Sequence, residues 1–448
     1  MVLSRFIKIS ALVCIIGLSG CDRPFTDPAT PDIDILSPDF SSIIVNDLVT
    51  ISISAAGFRA IASATVNGEP MTLDPSNGNW SIDWNLVQGV NRFDIQVTDV
   101  DGGVTDTTEY ATRMSYVVTP RLNSMKVATG GHATTTTFNG ALLVTGGTEV
   151  AGGTAINRVE ILPAGSTVFQ TASGTLVNAR SGHTSTLLPD GRILIAGGSR
   201  TDDITSVGDL VEEPEIFNPD DQSFEPMFVS GDPIRRSFHT ASTRLVNGSI
   251  ILDLYGGVGD VQYSPESRLG IRSDLRSFQV LGDSLIALSP AVGPNLPEAI
   301  SGHTQTPLQS NAFFFPGEYL ISGSWFISGA RADVGFKVNF GGQTGIVTEE
   351  TAVLSTPRTR HAAERLGNDT VIFWGGRQES RNSALNDAEL YVPQANRFIL
   401  LPFDSTLPPV KRYGHTATLL FPGRMIVVGG YSNTGVAIPH VEIFDYQQ

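Results

Sequence analysis

Short apolar runs separated by polar turns recur along the last three quarters of the chain. Residues 193–196 (ILIA) and 425–428 (MIVV) are two such runs, and each lies between a polar turn and a Gly-Gly pair. Runs of this length between turn signals are typical of buried β-strands. A later run places one acid among apolar residues, as in 159–162 (VEIL). The pattern predicts a repeated unit built from strands.

A histidine opens each unit. Fourteen residues after four of these histidines comes a Gly-Gly pair, as from His132 to Gly146. In the third unit the pair Gly256-Gly257 comes seventeen residues after the histidine, and the fourth unit has Ser322-Gly323 instead. A β-rich repeat of about 40–60 residues is the signature of a propeller. The six histidines are His132, His183, His239, His303, His361 and His415.

The units resemble kelch repeats of the galactose-oxidase-like propeller superfamily. The features that carry the likeness are the histidine strand, the Gly-Gly pair, the acid in the third strand and an aromatic residue opening the fourth. Four strands per unit make one propeller blade. The likeness implies an all-β fold with a six-bladed kelch-type propeller over 114–448. It does not imply copper-radical oxidase chemistry, because Cys14 and Cys21 are the only cysteines and neither could form the crosslink to tyrosine.

The last unit stops after three strands, at Tyr446. Within residues 116–119 (YVVT), Val118 stands fourteen residues before His132, just as Phe169 in the fourth strand of the first unit stands fourteen residues before His183. We therefore expect 116–119 to complete the last blade, which would leave no free sheet edge there.

Residues 33–113 have a different pattern. Apolar and polar residues alternate with period two in 49–53 and 93–97, and turn signals such as Asn67-Gly68 separate the runs. This pattern predicts a β-sandwich. Short motifs, among them 74–80 (DPSNGNW), resemble bacterial immunoglobulin-like domains of surface proteins.

The first twenty residues predict an export signal. A basic start is followed by a short apolar stretch, 9–18, which falls below the ~20 residues that a transmembrane helix needs. The ending Leu18-Ser19-Gly20-Cys21 resembles the lipobox of bacterial lipoproteins, which implies lipidation of Cys21 and attachment to a membrane. Residues 21–32 then form a tether. We expect a lipid-anchored protein of the bacterial cell envelope, with the periplasmic and cell-surface sides left open.

The charge excludes one class of partner. The formal net charge is −16, from 29 basic and 45 acidic residues. Such a surface disfavours nucleic acid, so we expect no nucleic-acid partner.

The histidines raise the question of a metal. One histidine per unit forms a wide ring, whereas zinc or copper needs ligands that converge within about 2.0–2.3 Å of one point. We therefore predict that the histidines are structural and that the protein has no cofactor and no metal site. Asp99 to Gly103 (DVDGG) resembles the start of a calcium loop but has Tyr110 where such a loop needs a glutamate. A hairpin turn is the preferred reading, with a weak calcium contact as the alternative.

Arginines near the unit boundaries mark a candidate binding face. Loops on a rigid scaffold concentrate binding residues, and the alternative is that each arginine pairs with a third-strand glutamate. The candidates are Arg180, Arg236, Arg360, Arg412, Arg377 and Arg381.

Three functions follow from the sequence. The first is a binding scaffold for a protein or glycan, without catalysis. The second is a carbohydrate-active enzyme, since some periplasmic kelch propellers are sugar isomerases; its candidate residues are Glu212, Glu213, Glu379 and Arg381. The third is a structural element of an envelope assembly. A pocket with two facing carboxylates would favour the enzyme, and a broad flat face would favour the scaffold.

Overall fold

The computed structural model describes residues 30–57, 59–261, 268–289, 294–308, 317–323, 335–339, 346–350, 352–367, 369–378, 382–406 and 408–447. Within these residues the chain is built from β-strands, with one short 3-10 helix at Val207–Asp209, so the predicted all-β class is confirmed. No helix in this part of the chain has the length and apolar content to cross a bilayer. The predicted leader and Cys21 lie outside the described residues.

Two sheets form the N-terminal region and pack face to face. The first has the order β1-β3-β7-β6 and the second β2-β9-β8-β4-β5. Inward-facing residues such as Ile53, Phe93 and Ile95 are fully buried between them. We call this region the sandwich. Its strands are β1 (Asp32–Ser37), β2 (Ile43–Ile44), β3 (Leu48–Ala56), β4 (Ile61–Val66), β5 (Glu69–Pro70), β6 (Thr72–Leu73), β7 (Trp80–Asn85), β8 (Gly89–Asp99) and β9 (Val104–Arg113).

The described residues after the sandwich form six larger sheets and two small ones, and we number the six larger sheets as ring sheets 1 to 6. Ring sheets 1 and 2 comprise β11 (Ala133–Thr136), β12 (Leu142–Thr145), β13 (Val159–Leu162) and β14 (Gln170–Thr171), then β15 (Thr184–Leu187), β16 (Ile193–Ala196), β17 (Glu215–Asn218) and β18 (Ser223–Pro226). Ring sheet 3 comprises β21 (Thr240–Val246), β22 (Ser249–Tyr255), β25 (Leu275–Leu281) and β26 (Ser284–Leu288), with β19 (Phe228–Ser230) at its edge.

Ring sheets 4 and 5 comprise β27 (Thr304–Pro307), β28 (Glu318–Ser322), β29 (Gly335–Asn339) and β30 (Ile346–Glu350), then β31 (Ala362–Arg365), β32 (Val371–Trp374), β35 (Ala388–Val392) and β36 (Arg397–Leu400). Ring sheet 6 comprises β37 (Thr416–Phe421), β38 (Arg424–Val428), β39 (His440–Tyr446) and β10 (Tyr116–Ser124). Two small sheets join β20 (Arg236–Ser237), β23 (Val258–Asp260) and β24 (Leu269–Ile271), and β33 (Arg377–Gln378) and β34 (Ser383–Ala384).

The first strands of the six sheets stand around a common channel. Each contacts the next, and β37 of ring sheet 6 contacts β11 of ring sheet 1, so the sheets form a closed ring. Just before each first strand, one backbone N–H donates to the carbonyl of the corresponding residue in the preceding sheet, at 2.7–2.9 Å. Six such bonds close a circle at one end of the channel, which we call the mouth. Its members are Gly131, Gly182, Phe238, Gly302, Arg360 and Gly414.

Ring sheet 6 takes its outer strand from far upstream. β10 runs antiparallel to β39, with Tyr116 opposite Tyr446 and Thr119 opposite Ile443. The segment that follows the sandwich therefore covers the edge of the last strand of the chain.

The sandwich contacts the ring directly. Arg397 donates to the Phe40 carbonyl at 2.7 Å and forms an ion pair with Glu109 at 3.1 Å. Ile43 and Met114 belong to the same buried cluster as Trp374 of ring sheet 5. Polar and apolar contacts thus join the two regions.

Candidate functional site

The six repeated histidines are buried between neighbouring ring sheets. His303 Nε2 lies 3.0 Å from Thr240 Oγ1 of the preceding sheet, and His132 Nε2 lies 3.1 Å from Thr416 Oγ1. Each of the six side chains is 5–6% exposed. For four histidines the partner is the threonine that directly follows the histidine of the preceding sheet, so these residues join neighbouring sheets. His183 bonds Thr145 of the preceding sheet instead. His361 is followed by Ala362, so His415 faces no such threonine.

Burial keeps the histidines neutral. It lowers the pKa of His132 to about 4 and that of His303 to about 3. It also lowers the pKa of the other four well below its usual value. Because removal from water disfavours the charged form, uncharged imidazoles face the channel at neutral pH.

Metal-ligand types do not converge in the described part of the chain. No group of three His, Cys, Asp or Glu side chains there is placed to hold a metal ion. The Asp99 carboxylate is used within its own turn, where Oδ1 accepts the backbone N–H groups of Asp101 at 2.9 Å and Gly103 at 2.8 Å. This geometry is that of a turn between β8 and β9.

Three of the candidate binding arginines lie inside the ring. Arg180, Arg236 and Arg412 are 0–1% exposed. Arg180 forms an ion pair with Glu215, and Arg412 pairs with Glu442 at 3.0 Å, both glutamates lying on third strands. These side chains stabilise their own sheet. The prediction that they face a partner is therefore wrong, because each guanidinium is buried and paired with a carboxylate inside the ring.

The buried arginines also bind the Gly-Gly turns. Arg180 donates to the Gly197 carbonyl at 2.9 Å and Arg412 to that of Gly429 at 2.8 Å. The first glycine of each pair has positive φ, and a Cβ on Gly197 would lie 2.5 Å from the Arg236 carbonyl oxygen of the next sheet. Only glycine fits both the conformation and the space, which explains the repeated pair.

Arg360 is placed differently from the other candidates. It occupies the mouth position that is glycine in four sheets, and its φ is 51°. Phe238, the other exception, has a φ of 53°. Left-handed backbone costs about 1–2 kcal/mol in a residue with a Cβ. Such outliers persist where the surroundings hold them, and they cluster at functional sites.

The Arg360 side chain crosses the mouth. Its guanidinium forms an ion pair with Asp202, at 2.8 Å, on a loop of ring sheet 2. It also lies 4.7 Å from the ring centre of Phe238 and 5.3 Å from that of Tyr431. Ring sheets 2 and 5 are three positions apart in a ring of six, so the pair joins opposite sides of the channel.

Arg360 is charged under all ordinary conditions. Burial lowers its pKa, but the Asp202 carboxylate together with Tyr431 and Tyr413 outweighs burial, and the pKa is raised above its usual value. The Arg360 side chain is 18% exposed and that of Asp202 is 2% exposed. A partly exposed cation therefore lies at the centre of the mouth.

The loops around Arg360 are bonded to one another. Ala151 N–H donates to the Gly435 carbonyl at 2.7 Å, and Ala155 N–H donates to the Arg200 carbonyl at 2.9 Å. The Ala384 N–H donates to Asn433 Oδ1 at 2.5 Å. The second-to-third strand loops of ring sheets 5, 6, 1 and 2 thus form one continuous surface around Arg360, which we call the mouth face.

The channel behind the mouth has a volume of about 670 Å³ and is lined by the first strands. The space at the mouth itself is about 150 Å³. Glu364 lines the channel, and burial raises its pKa to about 7. Glu364 occupies the position in ring sheet 5 that Thr135 occupies in ring sheet 1. Thr135 donates to Ser185 of the next sheet, whereas the residue of the next sheet that corresponds to Ser185 is Ala417 for Glu364. The Glu364 carboxyl group accepts hydrogen bonds from backbone N–H groups instead.

The remaining candidates fall into three groups. Arg377 lies on the mouth face, 5.2 Å from the ring centre of Tyr413, and bonds Asn382. Arg381 and Glu379 lie outside the described residues. Glu212 pairs with Arg235 at 2.7 Å. Glu213 accepts from Asn178 at 3.2 Å, so each glutamate already has a local partner.

Sequence reasoning missed two residues. Arg358, rather than Arg360, matches Arg180 and pairs with Glu389 at 2.5 Å. The number of residues between arginine and histidine would have revealed this. Arg358 and Arg180 each stand three residues before the histidine of their unit, whereas Arg360 stands one residue before it. Asp202 carries no repeat signal, so only the fold brings it to Arg360.

Comparisons with known proteins address the fold. No family model matches the chain, and no curated protein matches it in sequence. Among 174 matching chains of solved structures is a structure of YjhT. It is 15% identical, with a TM-score of 0.52, and the match covers 72% of this chain and 99% of that one. At this identity the likeness concerns the fold alone, which is all-β and propeller-like.

Proposed function

We propose that this protein is a non-enzymatic binding scaffold that engages a protein or glycan through the mouth face. The observation that carries the proposal is the Arg360–Asp202 pair, which fills the mouth and leaves only about 150 Å³ there. The surface around it is built from loops that are bonded to each other before any partner arrives. A preorganised surface loses little conformational freedom on binding.

We also propose the finer architecture that the sequence suggested. The ring would be a six-bladed kelch-type propeller and the sandwich an immunoglobulin-like domain. Six sheets in a closed ring, the histidine and Gly-Gly repeats, and the pairing of β10 with β39 support the propeller. A chain that starts at residue 125 should then lose cooperative unfolding, because it exposes β39, whereas one that starts at 114 should keep it. Equal melting of the two chains would contradict the closure.

The proposal places the protein at the bacterial cell envelope, anchored through Cys21. The proposal assigns no metal role to the histidines, since all six imidazoles are buried and five of them bond a threonine of the preceding sheet. Added zinc or copper should therefore leave the melting temperature unchanged. A stoichiometric metal retained through dialysis and lost in His183→Ala would overturn the structural role.

Arg360→Gly is the test of the mouth face. Four ring sheets already have glycine at this position, so the substitution suits the backbone while removing the guanidinium. Residues 22–448 would be used to capture partners from an envelope extract and on a glycan array. We expect Arg360→Gly to reduce capture at least tenfold, because central arginines are typical hot spots of interfaces.

Arg192→Ala is the matched control. It also removes one arginine, but from the opposite end of the ring, where Arg192 pairs with Asp190 at 2.8 Å. It should capture partners as the unaltered protein does. Capture that is unchanged by Arg360→Gly, in a protein that still melts cooperatively, would refute the proposed binding face.

A further inference from the structure

The path of the chain through the sandwich determines which way the mouth face points relative to the N-terminal end of the chain. Asp32 pairs with Ala56, at the end of β3. Ala60, four residues further along the chain, lies at the tip of the β8–β9 hairpin, where the Val100 N–H donates to the Ala60 carbonyl at 3.0 Å. The chain therefore enters the sandwich beside this tip.

The ring is attached at the other end of the sandwich. In the β8–β9 hairpin, Gly89 pairs with Arg113 at the end remote from the tip. At this end the Gln88 side chain donates to the side chain of Gln447 at 3.1 Å. β2 pairs with β9 beside Arg113, and its residue Ile43 packs in the same buried cluster as residues of ring sheets 5 and 6. The sandwich thus separates the point of chain entry from the ring.

The sandwich meets the ring at the end opposite the mouth. β39 begins near the mouth, at His440, whose carbonyl accepts a hydrogen bond from the Gly429 N–H at 3.2 Å. It ends at Tyr446, whose N–H donates to the carbonyl of Gly423 in the turn between β37 and β38. Gln447 follows at that turn end and contacts the sandwich. Arg397, which bonds Phe40, opens β36 directly after a turn at the same end.

We propose that the sandwich is a spacer that holds the mouth face away from the anchoring membrane, so that the partner approaches from the side opposite that membrane. This inference rests on the proposed anchor at Cys21. The 11 residues of β8 span about 36 Å and the 7 residues of β39 about 23 Å, at about 3.3 Å per residue. Two such strands placed end to end would span about 60 Å, which is the upper limit for the separation of the mouth face from the point where the chain enters the sandwich.

Charge favours the upright arrangement. The chain has a formal net charge of −16. An acidic body is repelled by anionic lipid headgroups, so lying flat on such a membrane is disfavoured. A partner in the same membrane would meet the sandwich and the turn end of the ring first.

Energy transfer to the bilayer tests the orientation. Three exposed valines mark the hairpin tip, the turn end of the ring and the mouth face: Val100, Val168 and Val436. Each would be changed to cysteine in the full-length lipidated protein, labelled with a donor dye, and placed in vesicles that contain an acceptor-labelled lipid. The same Val→Cys change at all three sites makes the proteins directly comparable. Cooperative melting checks that each is folded.

We expect transfer to fall in the order Val100, Val168, Val436, with transfer from Val436 near background. Transfer from Val436 equal to or above that from Val168, in protein that floats with the vesicles, overturns the orientation and leaves the anchor intact. Protein that does not float with the vesicles overturns the anchor, and the orientation with it. Capture by the mouth face is measured separately, so its failure is distinguishable from both.

Discussion

Ring sheets 2 and 3 are neighbours that reach the same contacts with different residues. In ring sheet 2 the first two strands have 4 residues each, whereas in ring sheet 3 they have 7. The longer hairpin explains why Gly256-Gly257 follows its histidine at a larger spacing. A Cβ on Gly256 would nevertheless lie 2.6 Å from the Ile300 carbonyl oxygen of the next sheet, much as Gly197 approaches Arg236. The mouth end of each sheet is therefore fixed, and length varies at the other end.

The two sheets differ in how they neutralise their buried arginine. Arg180 faces Glu215, and both side chains are 0% exposed. Arg236 faces Asp274, which is 26% exposed and also pairs with Arg272. The difference shows that the arginine is the common element and that the position of the acid can change. It also predicts unequal sensitivity to loss of the arginine.

Arg180→Ala should have the largest effect. It leaves Glu215 buried without its cation, which costs about 3–5 kcal/mol. Arg236→Ala should cost less, because water can solvate Asp274 and Arg272 remains beside it. Urea unfolding of the two variants measures the difference. An equal loss of stability would break the distinction between the sheets.

Acid should destabilise the ring through its buried histidines. In the unfolded chain histidine titrates near pH 6.5, whereas the folded pKa of His132 is about 4 and that of His303 about 3. The unfolded state therefore binds more protons below pH 6.5, and stability falls as the pH drops toward 4, by about 3 kcal/mol for His132. Urea unfolding at a series of pH values measures this. His132→Gln should flatten the dependence; an unchanged slope would mean that His132 is not buried as a neutral group.

Gly256→Ala tests whether the displaced glycine pair does the work of the others. The new Cβ would meet the Ile300 carbonyl and carry a left-handed backbone, with a combined loss of about 2–4 kcal/mol. Gly248→Ala is the control, because its φ is 80° but nothing lies within 4 Å of the added Cβ. We expect a loss of only about 1–2 kcal/mol there, from the backbone alone. Thermal unfolding compares them, and equal losses would show that the contact is unimportant.

Glu364→Gln should raise stability rather than lower it. The folded pKa of Glu364 is raised to about 7 from an ordinary 4.5, so the folded state binds more protons between these values. Stability of the unaltered protein therefore falls as the pH rises through that window, and Gln removes the loss. The variant should be more stable by about 3 kcal/mol at pH 8 and equal near pH 4. A variant less stable than the parent at pH 8 would show that the carboxylate is ionised and useful.

Much of the ring could be predicted because its contacts repeat. His183, Gly197 and Glu215 each touch a neighbouring sheet or their own buried arginine, and such contacts impose the same residue in unit after unit. The repeated sequence pattern therefore predicted the all-β class, which the structure confirms. The burial of Arg180 could not be read from its charge, because burial depends on the partner that the fold supplies.

The site at the mouth could not be predicted for the opposite reason. Arg360 matters because it departs from the repeat, and its partner Asp202 is 158 residues away in the chain. No local pattern links them; only a closed ring places sheets 2 and 5 face to face. The available signal was that Phe238 and Arg360 stand directly before a repeat histidine, where the other four units have glycine.

The circle of six backbone hydrogen bonds at the mouth has a consequence for the polar groups there. All six bonds point the same way around the circle, from each sheet to the one before it. Each sheet therefore contributes one N–H donor and one carbonyl acceptor, and the two belong to successive peptide groups. Because the circle is closed, no sheet is the first or the last, and none of the six N–H groups or six carbonyls is left over. An open row of the same sheets would leave one N–H and one carbonyl at its two ends without these partners.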